Sequence, residues 1–339
     1  IHDRILHEAF AREGFMQNAI VYRSVRMIAE AAASVPLLLY EGDDEISEHP
    51  LLALIARPSP DQTTADFLES WYGFLLVAGN AYVEAVGLSG RLRELHVLRP
   101  DRMKAVPGRN GWPEAYEYSV NGRIVTIPAG TRSAVLHMRL FNPVDDHYGQ
   151  SPLETAACAI DIHNAAGSWN KALLDNAARP SGALVYKGGE AGANLTEDQF
   201  ERLKRELAEN YQGAANAGRP LLLEGGLDWT SMGLSPKDMD FIGAKHAAAR
   251  DLALAFGVPP MLLGIPGDNT YANMREANRA FWRGTVLPLA GRTARALTHW
   301  LGARHEGRLR LWDDADGVHA LPADRDALSA SVSHPDFHH

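Results

Sequence analysis

The sequence predicts an α+β chain in which a small α/β insert is carried between two long helices. Three observations support this. The first 140 or so residues alternate helix-period stretches with short apolar runs of strand length. Asn121-Gly122 lies between two of those runs, the strongest short-range hairpin signal. Two helix starts of the same grammar, Ser151-Pro152-Leu153-Glu154 and Ser235-Pro236-Lys237-Asp238, stand on either side of about 55 residues of mixed pattern.

Taken in order, residues 1–20 mix charge with apolar side chains and read as a short helix or an arm. Residues 19–34 are helical, with Val21, Val25, Ile28, Ala29 and Ala32 on one face and Arg23, Arg26 and Glu30 off it. Pro36 stops that helix, and 37–40 reads as a strand. The acidic run 42–50 reads as a turn followed by a helix start, and Pro58-Ser59-Pro60 as a loop before a helix at 64–77. Strands follow at 81–86, 92–98, 116–120, 123–127 and 134–138.

The stretch after Tyr148 organises the rest. Ser151 caps, Pro152 suits the first helical position, and Glu154 can reach back in a capping box. No proline then intervenes before Pro180, which predicts a helix of about 27 residues, roughly 40 Å long. It is rich in alanine and poor in bulk: Leu153, Ile160, Trp169 and Leu173 are its large apolar residues, with Asp161, Asn164, Ser168, Lys171 and Asp175 between them. Helices take most of their stability from packing a face. Two readings stay open: one stave among several, some supplied by other subunits, or a long surface helix of a monomeric domain.

Beyond Pro180-Ser181-Gly182 come a strand at 183–187, a charged helix at 196–211 with a narrow stripe (Phe200, Leu203, Leu207, Tyr211), and strands at 221–224 and 227–232. The helix opened by Ser235-Pro236 runs to Phe256, where Gly257 and Pro259-Pro260 end it. Residues 262–273 read as a Gly, Pro and Asn-rich loop. A long helix at 272–301 follows, which Pro288 must kink or break. Arg275, Arg279 and Arg283 recur every four residues along it as a basic stripe, read either as a solvated, acid-paired face or as phosphate contacts. A strand at 309–312 and a polar tail after Leu321 close the chain.

Composition narrows the function. With 339 residues, 46% hydrophobic and 22% charged, the chain is of ordinary globular make-up and long enough for about two domains. A net charge of −9 argues against coating nucleic acid electrostatically, since such binding scales with phosphates neutralised, but not against nucleic acid that passes without sticking. The one cysteine, Cys158, reads as a buried small residue and excludes an intrachain disulfide framework. Nothing is apolar enough over about 18 residues to span a bilayer, and no signal-peptide pattern opens the chain, so synthesis in a reducing cytoplasm is expected.

The usual catalytic and cofactor signatures are missing: no GxxxxGK[ST], GxGxxG, GxSxG, HExxH or paired-cysteine zinc spacing. Asp145, Asp146 and His147 could bind a metal or cap the following helix. Asp313, Asp314 and Asp316 with Gly317 resemble a calcium loop loosely, without the downstream acid. His334, His338 and His339 are read as part of the tail.

Five segments, in order and with matching separations, are similar to the HK97-like portal proteins of tailed phages and the related portals of gene transfer agents. They are VYRSVRMIAEAAASVPLLLY (21–40), LLVAGNAYVEAV (75–86), YGQSPLETA (148–156), NAGRPLLLEGGLDWTSMGLSPKDMDF (216–241) and AFGVPPMLLGIPGDNTYANMREANRAFW (255–282). The resemblance covers about residues 21 to 321. It implies a portal fold: an α/β wing, a two-helix stem, a small α/β clip, a tunnel loop and a long kinked helix. On this chain 1–150 would be wing, 151–179 a stem helix, 180–234 the clip, 235–257 the second stem helix, 258–322 the tunnel loop, long helix and returning wing, and 323–339 a polar tail. The helical crown of many portals would be short, absent or lost by truncation.

The resemblance also implies a non-enzymatic ring without cofactors. It is usually of twelve copies, at a capsid vertex of a virion or gene transfer agent particle assembled in a bacterial cytoplasm. Its implied partners are double-stranded DNA in the channel, bound without sequence preference, a large terminase, adaptor or head-completion proteins and the major capsid protein. The channel-facing candidates are Ile265, Pro266, Gly267, Asp268, Asn269, Thr270, Tyr271, Asn273, Arg275 and Arg279. Ser151, Pro152, Lys171, Pro236, Lys245 and Arg250 are stem candidates, and Glu197, Arg202 and Arg205 the partner-facing clip candidates. The competing expectations are a metal-dependent hydrolase using Asp145, Asp146 and His147 with Asp313 or Asp314, and a structural adaptor without a DNA-lined lumen.

Overall fold

The computed structural model describes residues 10–88, 91–175, 182–186, 196–211, 227–231, 241–267, 270–302, 304, 308–315 and 317–318. The chain divides into two compact units, residues 1–160 with 249–339, and residues 161–248.

In the first unit a π-helical turn, Phe10–Phe15, leads to helix α1, Ala19–Ala33. Asn18 caps α1 by accepting from Ile20 N and Val21 N at 3.1 and 3.2 Å. Its Val21, Val25, Ile28, Ala29 and Ala32 are buried, the face read from the 3.6-residue period. After strands β1 (Leu37–Glu41) and β2 (Asp44–Ile46) and helix α2 (Pro50–Ala56) comes α3, Thr64–Ala78, which packs on α1. Thr63 and Asp66 close a capping box at its start, and Gly79 ends it with φ +69°. Phe67, Leu68, Trp71, Tyr72 and Leu75 of α3 are fully buried.

Three small antiparallel sheets complete this unit. Strand β3 (Asn80–Leu88) lies between β4 (Arg91–Leu98) and β8 (Val135–Arg139). Strand β6 (Pro113–Val120) lies between β5 (Met103–Pro107) and β7 (Arg123–Pro128). The β6–β7 turn is Asn121-Gly122 with φ of 50° and 77°, the left-handed pair that this hairpin turn demands. Strand β11 (Leu309–Asp313) returns from the far end of the chain to pair with β1, Leu37 opposite Asp313 and Glu41 opposite Leu309.

Helix α4, Pro152–Thr155, is followed by α5, Ala157–Asp175. The single helix expected from Pro152 is thus interrupted at Ala156, whose φ and ψ are −94° and 6°. Cys158 is exposed, contrary to the buried expectation. Leu153, Ala156, Ala159 and Ile160 form the buried stripe, and position 158 falls off it at helical spacing. Pro288 does not break the last helix at its own position. Instead α8, Tyr271–Phe281, passes through a π turn, Trp282–Val286, into α9, Leu287–Gly302. A wider turn of this kind absorbs the amide that proline lacks. Two strands escaped the sequence pattern. β2 is acidic and, among the described residues, pairs with β1, and β5 follows Arg102 and ends on Pro107.

In the second unit, β9 (Gly182–Tyr186) and β10 (Leu227–Ser231) pair antiparallel, Leu227 opposite Tyr186. Helix α6, Glu197–Tyr211, starts at Thr196, whose Oγ1 accepts from Gln199 N while Gln199 Oε1 accepts from Thr196 N. Helix α7, Phe241–Ala255, begins in this unit and ends in the first. The Trp169 and Phe241 rings sit 5.5 Å apart. The strand expected at 221–224 and the start expected at Ser235-Pro236 lie outside the described residues.

Candidate functional site

The loop that joins α7 to α8 is built from its two ends inward. Helix α7 stops at Gly257, φ +66°, and Val258 N returns to Ala253 O at 2.9 Å, a left-handed closure that suits glycine. Thr285 Oγ1 donates to Gly257 O at 2.6 Å, tying the π turn to that stop. A 3-10 turn, Pro260–Leu263, leads to Gly264, and Ile265 drops into a cluster with Ala249, Ala253, Ile20 and Leu263. Arg250 Nη2 donates to Pro266 O at 2.6 Å, so α7 clamps the loop. At the other end Thr270 caps α8, with Oγ1 accepting from Asn273 N at 3.2 Å.

The channel candidates therefore divide. Pro266, Gly267, Thr270, Asn273 and Arg275 are exposed. Arg279 is half-buried and pairs with Glu276 at 3.4 Å, while Arg283 lies in the π turn beyond. Ile265 is buried and serves as the loop's anchor, which corrects its expected outward position: its side chain packs on Ala249 and Ala253 of α7, together with Leu263. Tyr271 opens α8. Asp268 and Asn269 lie outside the described residues, as does Pro236.

Of the stem candidates, Ser151 is buried. Its Oγ accepts from Leu153 N at 3.1 Å and donates to Val77 O at 2.7 Å, fixing Pro152 at the helix start. Lys171 pairs with Asp175 at 2.5 Å on an exposed face. Lys245 faces His163, whose pKa is lowered by burial and by that ammonium. Glu197, Arg202 and Arg205 are all exposed on α6.

A bracket that no local signal announces holds the segment leading to α4. Asn80 Oδ1 accepts from Gly149 N at 2.8 Å and from His137 Nε2 at 3.0 Å, while its amide donates to Ala78 O and Gly149 O. His137 stacks on Tyr82 with centroids 4.2 Å apart. Burial, and secondarily Arg139, push its pKa down to about 3, so the ring is neutral. Asp145 Oδ1 accepts from His147 N at 2.6 Å and Tyr148 N at 2.9 Å, which is a turn-capping role. Among the described residues no three His, Cys, Asp or Glu side chains gather to hold a metal.

Residues 19–333 match the phage portal protein family. The chain is a member of that family. A Rickettsia bellii protein is 42% identical over 96% of this chain and 85% of its own length. The portal protein of Enterobacteria phage HK97 is 25% identical over 90% of this chain and 72% of its own. Among solved structures, the neck of a native gene transfer agent particle, computed with C12 symmetry, superposes with a TM-score of 0.76 at 50% identity, covering 98% of this chain and 90% of that one. An HK97-family portal from Corynebacterium diphtheriae shares the fold at 18% identity and a TM-score of 0.63. The family and mixed α+β fold implied by the five sequence segments are both met.

Proposed function

We propose that this portal protein forms a ring of twelve copies at one vertex of a gene transfer agent or phage particle, the passage through which double-stranded DNA is packaged and later released. The observation that carries this reading is the 50% identity, over 98% of the chain, to the neck of a particle computed with C12 symmetry. Residues 264–273 would form the tunnel loop, α5 and α7 the stem, and residues 180–234, which include α6, the clip. The terminase would dock on the clip during packaging and head-completion proteins afterwards, with the capsid protein around the wing.

The electrostatics support a conduit. A wall rich in Lys and Arg would bind phosphates one by one, with salt-dependent affinity that stalls a moving duplex. A chain of net charge −9, offering a few groups such as Asn273 and Arg275 at the loop, permits sliding contact instead. The role that membership of this family implies is structural, not enzymatic.

Negative-stain imaging of the purified chain tests the reading. Rings with an open axis are expected, together with no ATP hydrolysis in the absence of a motor. A strictly monomeric sizing profile at high concentration overturns it.

A further inference from the structure

In a ring, every copy meets its neighbours through two different patches, one on each side, because the contact is heterologous. The first unit carries two exposed apolar features suited to that arrangement. One is the loop after β8, where Phe141 is 83% and Val144 90% exposed. The other is a cleft of about 560 Å³ at the end of α7 and the π turn, lined by Leu254, Pro259, Pro260, Ala280 and Gly284. Leu254, at its lip, is 79% exposed. Large aliphatic and aromatic groups this bare signal a contact surface.

The loop is ordered before it meets anything. Asn142 Oδ1 accepts from Val144 N at 3.0 Å, Asp145 Oδ1 accepts from two following amides, and Arg139 Nη1 donates to the Asp146 carbonyl. Pre-ordering lowers the entropic cost of docking two apolar side chains. Polar groups border both surfaces: the loop presents Asp146, exposed, and the cleft is lined by Arg250 and Asp251 besides its apolar residues.

We infer that Phe141 and Val144 of one copy insert into the Leu254–Gly284 cleft of the adjacent copy, and that this contact closes the ring. The inference rests on the ring reading above and names the surfaces that make it. It also couples the ring seam to the tunnel loop, because Arg250 holds Pro266 and Thr285 holds Gly257 in the wall of the same cleft.

Cysteine cross-linking tests the contact in a Cys158→Ser background. Chains carrying Val144→Cys are mixed with chains carrying Leu254→Cys, reassembled, and treated with a mild thiol oxidant. Mixed dimers are expected, and the Val144→Cys, Leu254→Cys double variant should give a ladder of covalent oligomers. In parallel, Phe141→Asp with Val144→Asp, and Leu254→Asp separately, should raise the protein concentration needed for rings about tenfold or more. Far-UV circular dichroism and the thermal midpoint of the dispersed chain should stay unchanged, because the side chains replaced are exposed in it. Wild-type rings with no inter-chain cross-link, or rings of the Asp variants at unchanged concentration, overturn the contact alone. A wild-type chain that forms no ring overturns the ring reading beneath it.

Discussion

Among the described residues, the unit of residues 1–160 and 249–339 holds Trp71, Tyr72, Tyr82, Phe67 and Ile28 fully buried, whereas residues 161–248 bury only Ala166 and Ala248. The second unit instead leaves Ile162, Trp169, Phe200 and Ile242 exposed. The first behaves as a domain that completes its own core. The second has elements of regular geometry whose described apolar groups find little cover within the chain. Packed area, not helix propensity, is what stabilises helices and strands in water. The contrast therefore separates the part of the protein that folds for itself from the part whose stability is expected to grow on assembly.

The largest effect expected is at the centre of the self-contained unit. Trp71→Ala removes a fully buried indole from α3 and should cost about 3–5 kcal/mol of unfolding free energy, read by chemical denaturation of the isolated chain. Among the described residues Trp71 Nε1 has no hydrogen-bond partner, so Trp71→Phe should lose only part of the volume and much less stability. An equal loss for both variants would mean that the volume removed does not set the cost at this position.

Next in size is Gly149→Ala. A Cβ at this position would run into the Gly79 carbonyl and lie 2.6 Å from Leu140 N, both backbone atoms with nowhere to go. The cost should be about 1–3 kcal/mol, at the upper end because no flexible side chain can yield. A thermal midpoint unchanged by the substitution would show that the Asn80 bracket is loose.

Much of the first unit was legible because its signals are local. The α1 face repeats every 3.6 residues, Asn121-Gly122 dictates its turn, and the caps of α1, α3 and α4 sit one residue outside each helix. The family was legible from short segments in order. What stayed hidden depends on residues far apart. Asn80 meets Gly149 across 69 positions, Thr285 meets Gly257 across 28, and β2 exists only because β1 lies beside it. The exposure of Cys158 was missed because alanine neighbours look alike on every side of a helix, leaving the period without contrast. At the loop, the pattern of Gly, Pro and Asn predicted a turn-rich segment but not that Ile265 would be its anchor.

The same bracket yields a pH dependence. His137 is neutral when folded, its pKa held down to about 3, and has the ordinary value of 6.5 when the chain is open. Below the ordinary value the unfolded chain takes up a proton that the folded one refuses. The stabilisation present above pH 6.5 is thus lost as pH falls towards 3, at about 1.4 kcal/mol per unit at most for this one group. His137→Gln keeps a donor for Asn80 and should flatten that slope. Urea midpoints of both proteins between pH 7 and 4 measure it, and parallel slopes would assign the acid sensitivity to other groups.

The smallest effect on the isolated chain is expected in the other unit. Trp169 is 45% exposed and rests against Phe241 at 5.5 Å, so Trp169→Ala removes one aromatic pair rather than a core residue. Such pairs contribute about 0.5–1.5 kcal/mol beyond their area, and partial exposure puts this one at the low end. If identical copies cover that indole in a ring, the same substitution should lower the dissociation temperature of the assembled oligomer far more than the unfolding temperature of the dispersed chain. Measuring both midpoints on one preparation, before and after dilution below the assembly concentration, reads the difference directly. Equal shifts in the two would place Trp169 among residues that matter to the single chain alone, and would remove it from the surfaces through which this unit gains cover on assembly.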